Sequence, residues 1–76
     1  MIYPYKIESQ EDLYKLSELA SQEDYNIYIS ANSVTLDAKS VLALFSILGK
    51  EVHLTAPDHI DSEKFSKFIE KLPKSN

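Results

Sequence analysis

With no cysteine among its 76 residues, the chain has no disulfide and no thiolate-bound metal to hold it, so its fold must rest on packed apolar side chains alone. At this length folding buries only about 60% of the surface that the unfolded chain exposes, which leaves room for one core. Every apolar element must help to cover that core, and residues 1–76 read as a single domain. The absence of thiols also excludes cysteine nucleophiles and fits a cytoplasmic protein.

The hydrophobic periodicity supplies the elements. Residues 2–8 are rich in β-formers, and Pro4, which cannot donate to a ladder, places this first strand at a sheet edge or puts its proline at an unpaired position. Ser9 followed by Asp12 is an N-cap pattern. Leu13, Leu16, Leu19 and Ala20 then recur at helical spacing, predicting a helix over residues 10–21. Tyr25, Ile27 and Ile29 alternate with polar residues, and Val34 and Leu36 do so again after Ala31-Asn32-Ser33, which predicts a hairpin with Asn32 at positive φ. Ser40 is placed to cap a short helix over Val41–Leu48, apolar almost all round and ended by Gly49, the one glycine of the chain. A fourth strand, Glu51–Ala56, points Val52, Leu54 and Ala56 inward and His53 outward. Asp61 caps the last helix, in which Phe65, Phe68, Ile69 and Leu72 form one stripe stapled by Ile60. Pro73 closes it and leaves residues 73–76 as a frayed tail.

The predicted class is therefore α+β, in the order βαββαβα. Its half-apolar strands form a four-stranded antiparallel sheet covered on one face by three helices, an open-faced β-sandwich. Tyr28, Thr35, Glu51, His53 and Thr55 fall on the uncovered face. A ferredoxin-like small-ligand domain shares the first six elements, but two long helices usually cover such a sheet, and Val41–Leu48 is short.

Charge and composition narrow the function. Eight lysines stand against twelve acidic residues with no arginine, so there is neither a basic field for a polyanion nor a bidentate reader of phosphate or guanine. Nucleic acid is excluded as a partner. No basic stretch followed by an apolar run marks an export signal, and Val41–Leu48, interrupted by Ser46, is too short to cross a bilayer. No glycine-rich phosphate loop, nucleophile elbow or triad is present, so the chain does not read as an enzyme and implies no cofactor. The tyrosines at positions 3, 5, 14, 25 and 28 read as amphipathic covers for sheet and helix edges. The two histidines, His53 and His59, lie among acids at a spacing that fits no recognised metal site.

Across Asp37-Ala38-Lys39-Ser40-Val41-Leu42-Ala43-Leu44-Phe45-Ser46-Ile47-Leu48-Gly49 the sequence resembles the phosphocarrier protein HPr of the bacterial sugar phosphotransferase system, and the order of elements matches over about residues 5–72. The resemblance implies an HPr-like fold. In that family a histidine within a His-Ala-Arg-Pro motif at the start of the first helix carries the phosphoryl group. The corresponding stretch here is Glu8-Ser9-Gln10-Glu11-Asp12, and Ser9, Gln10 and Glu11 make a degenerate phosphocarrier site. Its carboxylates suit the helix dipole but repel a phosphoryl donor. His53 or His59 could serve an accessory phosphocarrier, although both read as solvated surface histidines.

The resemblance further implies that Ser40 matches a regulatory serine phosphorylated by a dedicated kinase, and that Leu42 and Phe45 match apolar residues that dock partner proteins. The expected partner is a protein, a transcriptional regulator or a phosphotransferase component. The residues themselves leave two readings for Phe45, an exposed contact beside an acidic rim or a side chain folded into a small core.

Overall fold

The computed structural model describes residues 1–73, so the expected fraying of Lys74, Ser75 and Asn76 lies outside the described residues. The elements are β1 (Ile2–Lys6), α1 (Gln10–Ser21), β2 (Tyr28–Ala31), β3 (Val34–Asp37), α2 (Val41–Leu44) running into a 3₁₀ turn (Phe45–Ile47), β4 (Glu51–Thr55) and α3 (Ser62–Lys71). The order βαββαβα is the one that periodicity predicts.

The four strands form one antiparallel sheet in the order β1-β4-β2-β3. The register sets Tyr3 opposite Leu54, Leu54 opposite Ile29 and Ile29 opposite Leu36, one row across all four strands on the covered face. Because side chains alternate with period two, the next row, Pro4, His53, Ser30 and Thr35, points the other way. His53 and Thr35 are exposed there, whereas Val52, Leu54 and Ile29 are buried. Pro4 lies on an edge strand, where a missing N–H breaks no ladder bond and discourages pairing with another chain.

All three helices close over the covered face. α1 contributes Leu13, Leu16, Leu19 and Ala20, and α3 contributes Phe65 and Phe68, whose rings stack with centroids 6.3 Å apart. Burying a side chain such as Phe68 or Leu54 stabilises the fold by about 2–3 kcal/mol each. The caps at the two longer helices form as expected. Ser9 Oγ accepts the Asp12 amide at 3.2 Å, and the Asp61 carboxylate accepts that of Glu63 at 2.9 Å.

Several expectations need correction. β1 stops at Lys6, after which Ile7 turns into the core and its carbonyl accepts the Gly49 amide at 2.8 Å. β2 begins at Tyr28, because Tyr25 and Ile27 are buried from the preceding loop. Val34 is 50% exposed, at the start of the edge strand β3. Pro73 is not frayed: its carbonyl accepts the Tyr5 hydroxyl at 2.7 Å, tying the end of α3 to β1. Asn32 and Gly49 do adopt positive φ, at 57° and 82°, as the hairpin and the helix stop require.

Ser40 is the most informative departure. It occupies the N-cap position of α2 and its carbonyl accepts the Leu44 amide at 3.1 Å, but its hydroxyl makes no capping bond. Its ψ is 95°, against 168° at Ser9, so the backbone enters the two helices differently. The entry to α2 is held by the backbone instead. The Asp37 carboxylate accepts the Lys39 amide at 2.9 Å and its carbonyl accepts that of Ser40 at 3.0 Å.

Two stability predictions follow from these bonds. Ser9→Ala should cost about 1 kcal/mol in urea unfolding, as lost caps do, whereas Ser40→Ala should change the midpoint little; equal losses would contradict the contrast. Burial, with the charges of Asp12, Tyr3 and Glu8 adding, pushes the Tyr5 hydroxyl up to about 12. Its neutral form is therefore favoured in the folded state, giving stability that is complete below pH 10 and lost as the pH rises toward 12. Tyr5→Phe should lower stability by about 1 kcal/mol near neutrality, and its deficit should hold up to about pH 10 and shrink as the pH rises toward about 12. A deficit that stays constant would exclude the Tyr5 hydroxyl as the titrating group.

Candidate partner-docking site

The segment after β3 is apolar nearly throughout, but a helix of four residues and one 3₁₀ turn can direct only part of its surface inward. Leu44 and Ile47, three residues apart, take the core. The turn tightens to 3₁₀ at Phe45, so the helix ends sooner than the expected Val41–Leu48 and Leu48 is left half-buried. Leu42 is then forced outward and is 87% exposed; Phe45 is 37% exposed. Of the two readings of Phe45, the partly exposed one holds.

Phe45 does not stand alone. Its ring meets that of Tyr14 edge to face, with centroids 6.0 Å apart and planes at 78°. Tyr14 is itself 50% exposed. Leu42 and Phe45 are three residues apart on one face of the helical segment, so Leu42, Phe45 and Tyr14 form one surface carried by α2, the 3₁₀ turn and α1. Such a set presents on the order of 300 Å² of apolar surface, the size at which patches on small monomers are often functional.

The mutual position of α1 and α2 is fixed by Ser17, a buried polar residue of α1 whose hydroxyl donates to the Lys39 carbonyl at 3.1 Å. Ala38, fully buried, adds a bond from its amide to the Ile27 carbonyl at 2.9 Å. These two bonds hold the chain immediately before Ser40, so the surface is presented on a braced support.

The remaining residues singled out in the sequence are dispersed. Ser9, Gln10 and Glu11 are exposed at the start of α1, where the Ser9 hydroxyl already serves the Asp12 amide. Ser40 is exposed at the start of α2. His53 lies mid-strand on the uncovered sheet face between Pro4 and Ser30, and His59 is exposed in the loop before α3. Among the described residues no cluster of three or more His, Asp or Glu side chains is placed to hold a metal ion. No described helix is long and apolar enough to cross a membrane. A groove between β1 and α3, bordered by Met1, Tyr3, Phe65 and Ile69, shares no residue with the Leu42 surface.

Tyr14 is the member that sequence reasoning missed. The signal was available: an aromatic residue on the polar stripe of α1, between Glu11 and Glu18, covers nothing on its own helix and needs a neighbour elsewhere.

No protein-family model matches the chain, and no curated protein matches it. Solved structures do. HPr-C-His from Thermoanaerobacter tengcongensis superposes with a TM-score of 0.72 at 16% identity, over 95% of this chain and 90% of that one. The phosphocarrier protein HPr from Bacillus anthracis str. Ames does so with a TM-score of 0.69 at 15% identity, over 96% of each chain. At such identities the likeness is one of architecture, and the architecture of this chain is that of the HPr phosphocarrier proteins.

Proposed function

We propose that this chain is a single-domain, cytoplasmic HPr-like protein that works as a regulatory or protein-binding module, docking a protein partner through Leu42 and Phe45 on the short helical segment Ser40–Leu48. The observation that supports the reading is Leu42: a leucine 87% exposed, three residues from Phe45 and its edge-to-face partner Tyr14 on a braced support, offers a partner an apolar anchor. The likeness in fold to solved HPr structures supports this setting.

Phosphotransfer at the usual place is not part of this function. The stretch Glu8–Asp12 holds no histidine, and the chain holds no arginine to neutralise a phosphoryl group. At the start of α1 the Asp12 amide is served by the Ser9 hydroxyl, and Glu11 and Asp12 put two carboxylates in the first turn. A phosphoryl donor would meet like charge there.

Ser40 is the proposed regulatory position. Its hydroxyl is exposed and makes no cap bond, so a kinase would not have to break one. Phosphorylation would add about two negative charges two residues from Leu42 and change what the surface can accept. Mass spectrometry after exposure to the ATP-dependent HPr serine kinase of the source organism should map phosphate to Ser40; a modified site elsewhere, or none, would remove the regulatory part of the reading.

Leu42→Asp should leave the far-ultraviolet circular dichroism and the unfolding midpoint nearly unchanged and abolish recovery of the partner in a pull-down from the source organism. Leu44→Asp, at a fully buried position, should cost at least about 3 kcal/mol. Undiminished recovery with Leu42→Asp would contradict docking at this surface.

A further inference from the structure

We infer that the loop between α1 and β2 is an ionic strap: Glu23–Tyr25 opens and closes as a unit over an otherwise intact core, and Lys64 and Lys71 of α3 hold it shut. The strap shares no residue with the Leu42 surface and is independent of the docking role proposed above.

The strap is fixed at both ends and free of backbone bonds between them. At its start the amides of Gln22 and Glu23 donate to the carbonyls of Leu19 and Ala20, both at 3.2 Å, which prolongs the last turn of α1. After its end the Asn26 side chain donates to the Tyr28 hydroxyl at 3.2 Å and accepts from the Lys39 ammonium at 3.5 Å, so that residue stays with the sheet. Among the described residues no backbone amide or carbonyl of Asp24 or Tyr25 bonds another backbone group. Side chains alone close this stretch.

The lysines come from α3. The Lys64 ammonium bonds the Asp24 carboxylate and lies 5.3 Å from the centroid of the Tyr25 ring, so one cation holds two consecutive residues. Lys71, seven residues further along the same helix, reaches the Glu23 carboxylate at 3.8 Å. The two lysine side chains are 45% and 54% exposed. Pairs this open to solvent are weakened by salt, so closure responds to ionic conditions.

Tyr25 is the plug. It is buried although it lies in a loop, and its hydroxyl is buried with no hydrogen-bond partner among the described residues. A buried hydroxyl without a partner is unfavourable, and opening returns it to water. Burial of the ring and the pull of Lys64 therefore act against a standing cost. Segments held by few backbone bonds and opposed in this way open before the whole domain unfolds.

Nitration by tetranitromethane, kept to low extent and mapped by mass spectrometry of peptides, reads the opening, with half-exposed Tyr14 as the internal reference for reactivity. Tyr25 should react more slowly than Tyr14, at a rate nearly independent of urea below the unfolding transition. Lys64→Met should raise the Tyr25 rate relative to Tyr14 by about fivefold. Salt at about 0.5 M should raise it in the wild type but not in Lys64→Met combined with Lys71→Met. Lys67→Met, whose ammonium lies 3.9 Å from Glu63 of its own helix, should leave it unchanged. A Tyr25 rate that climbs with urea in step with global unfolding would overturn the strap. So would reaction as fast as that of Tyr14, equal rates in the wild type and Lys64→Met, or an equal rise in Lys67→Met.

Discussion

The structure depends on the demand that one face of a four-stranded sheet be buried by three helical segments, one of which is only seven residues long. α1 and α3 are long enough to sort apolar from polar side chains around their circumference, so each hides most of its stripe, with Ile69 of α3 covered only in part. The segment Val41–Ile47 is not. With apolar residues almost all round and a core that buries Leu44 and Ile47 and covers Val41 only in part, it leaves Leu42 and Phe45 at the surface. The exposed Leu42 is thus a direct consequence of the same packing that stabilises the sheet, and evolution of a contact there requires no change in the core.

Rigidity of that surface comes from polar bonds in a place where few are expected. Ser17, buried within α1, spends its hydroxyl on the carbonyl of Lys39, and the Asp37 turn fixes the two residues before the helix. A hydrogen bond of this kind contributes about 1 kcal/mol net, but leaving the Ser17 hydroxyl buried without it would cost more, so the arrangement is specified as well as stabilised. A surface held in this way loses little conformational freedom when it is covered, which favours binding by a small number of anchors.

Much of this was legible in the sequence because the signals were strong and local. Period-two alternation in Ile27–Ile29 and Val52–Leu54 and the 3.6-residue stripe of α3 each point to one element, and the single glycine after a short apolar run marks where that run must stop. The uncovered face, with His53 on it, followed from the same alternation. What escaped depended on groups distant in sequence or on backbone angles. Val34 has an inward pattern but is half-exposed on a strand that only the strand order reveals as an edge. The Ser40 cap looked as sound as that of Ser9, and a difference in ψ separates them. Tyr14 joins Phe45 across two helices separated in sequence by a hairpin, which no local pattern encodes. Pro73 is anchored by Tyr5, from the opposite end of the chain.

The claim at the centre of this account is that an HPr architecture serves here to present a docking surface in place of a phosphoryl group. It is tested most directly by incubating the purified protein with phosphoenolpyruvate and the general phosphotransferase enzyme of the source organism and measuring the intact mass. The account predicts no gain in mass. An acid-labile gain of one phosphoryl group, lost in His53→Ala or His59→Ala, would contradict it and make the chain a carrier.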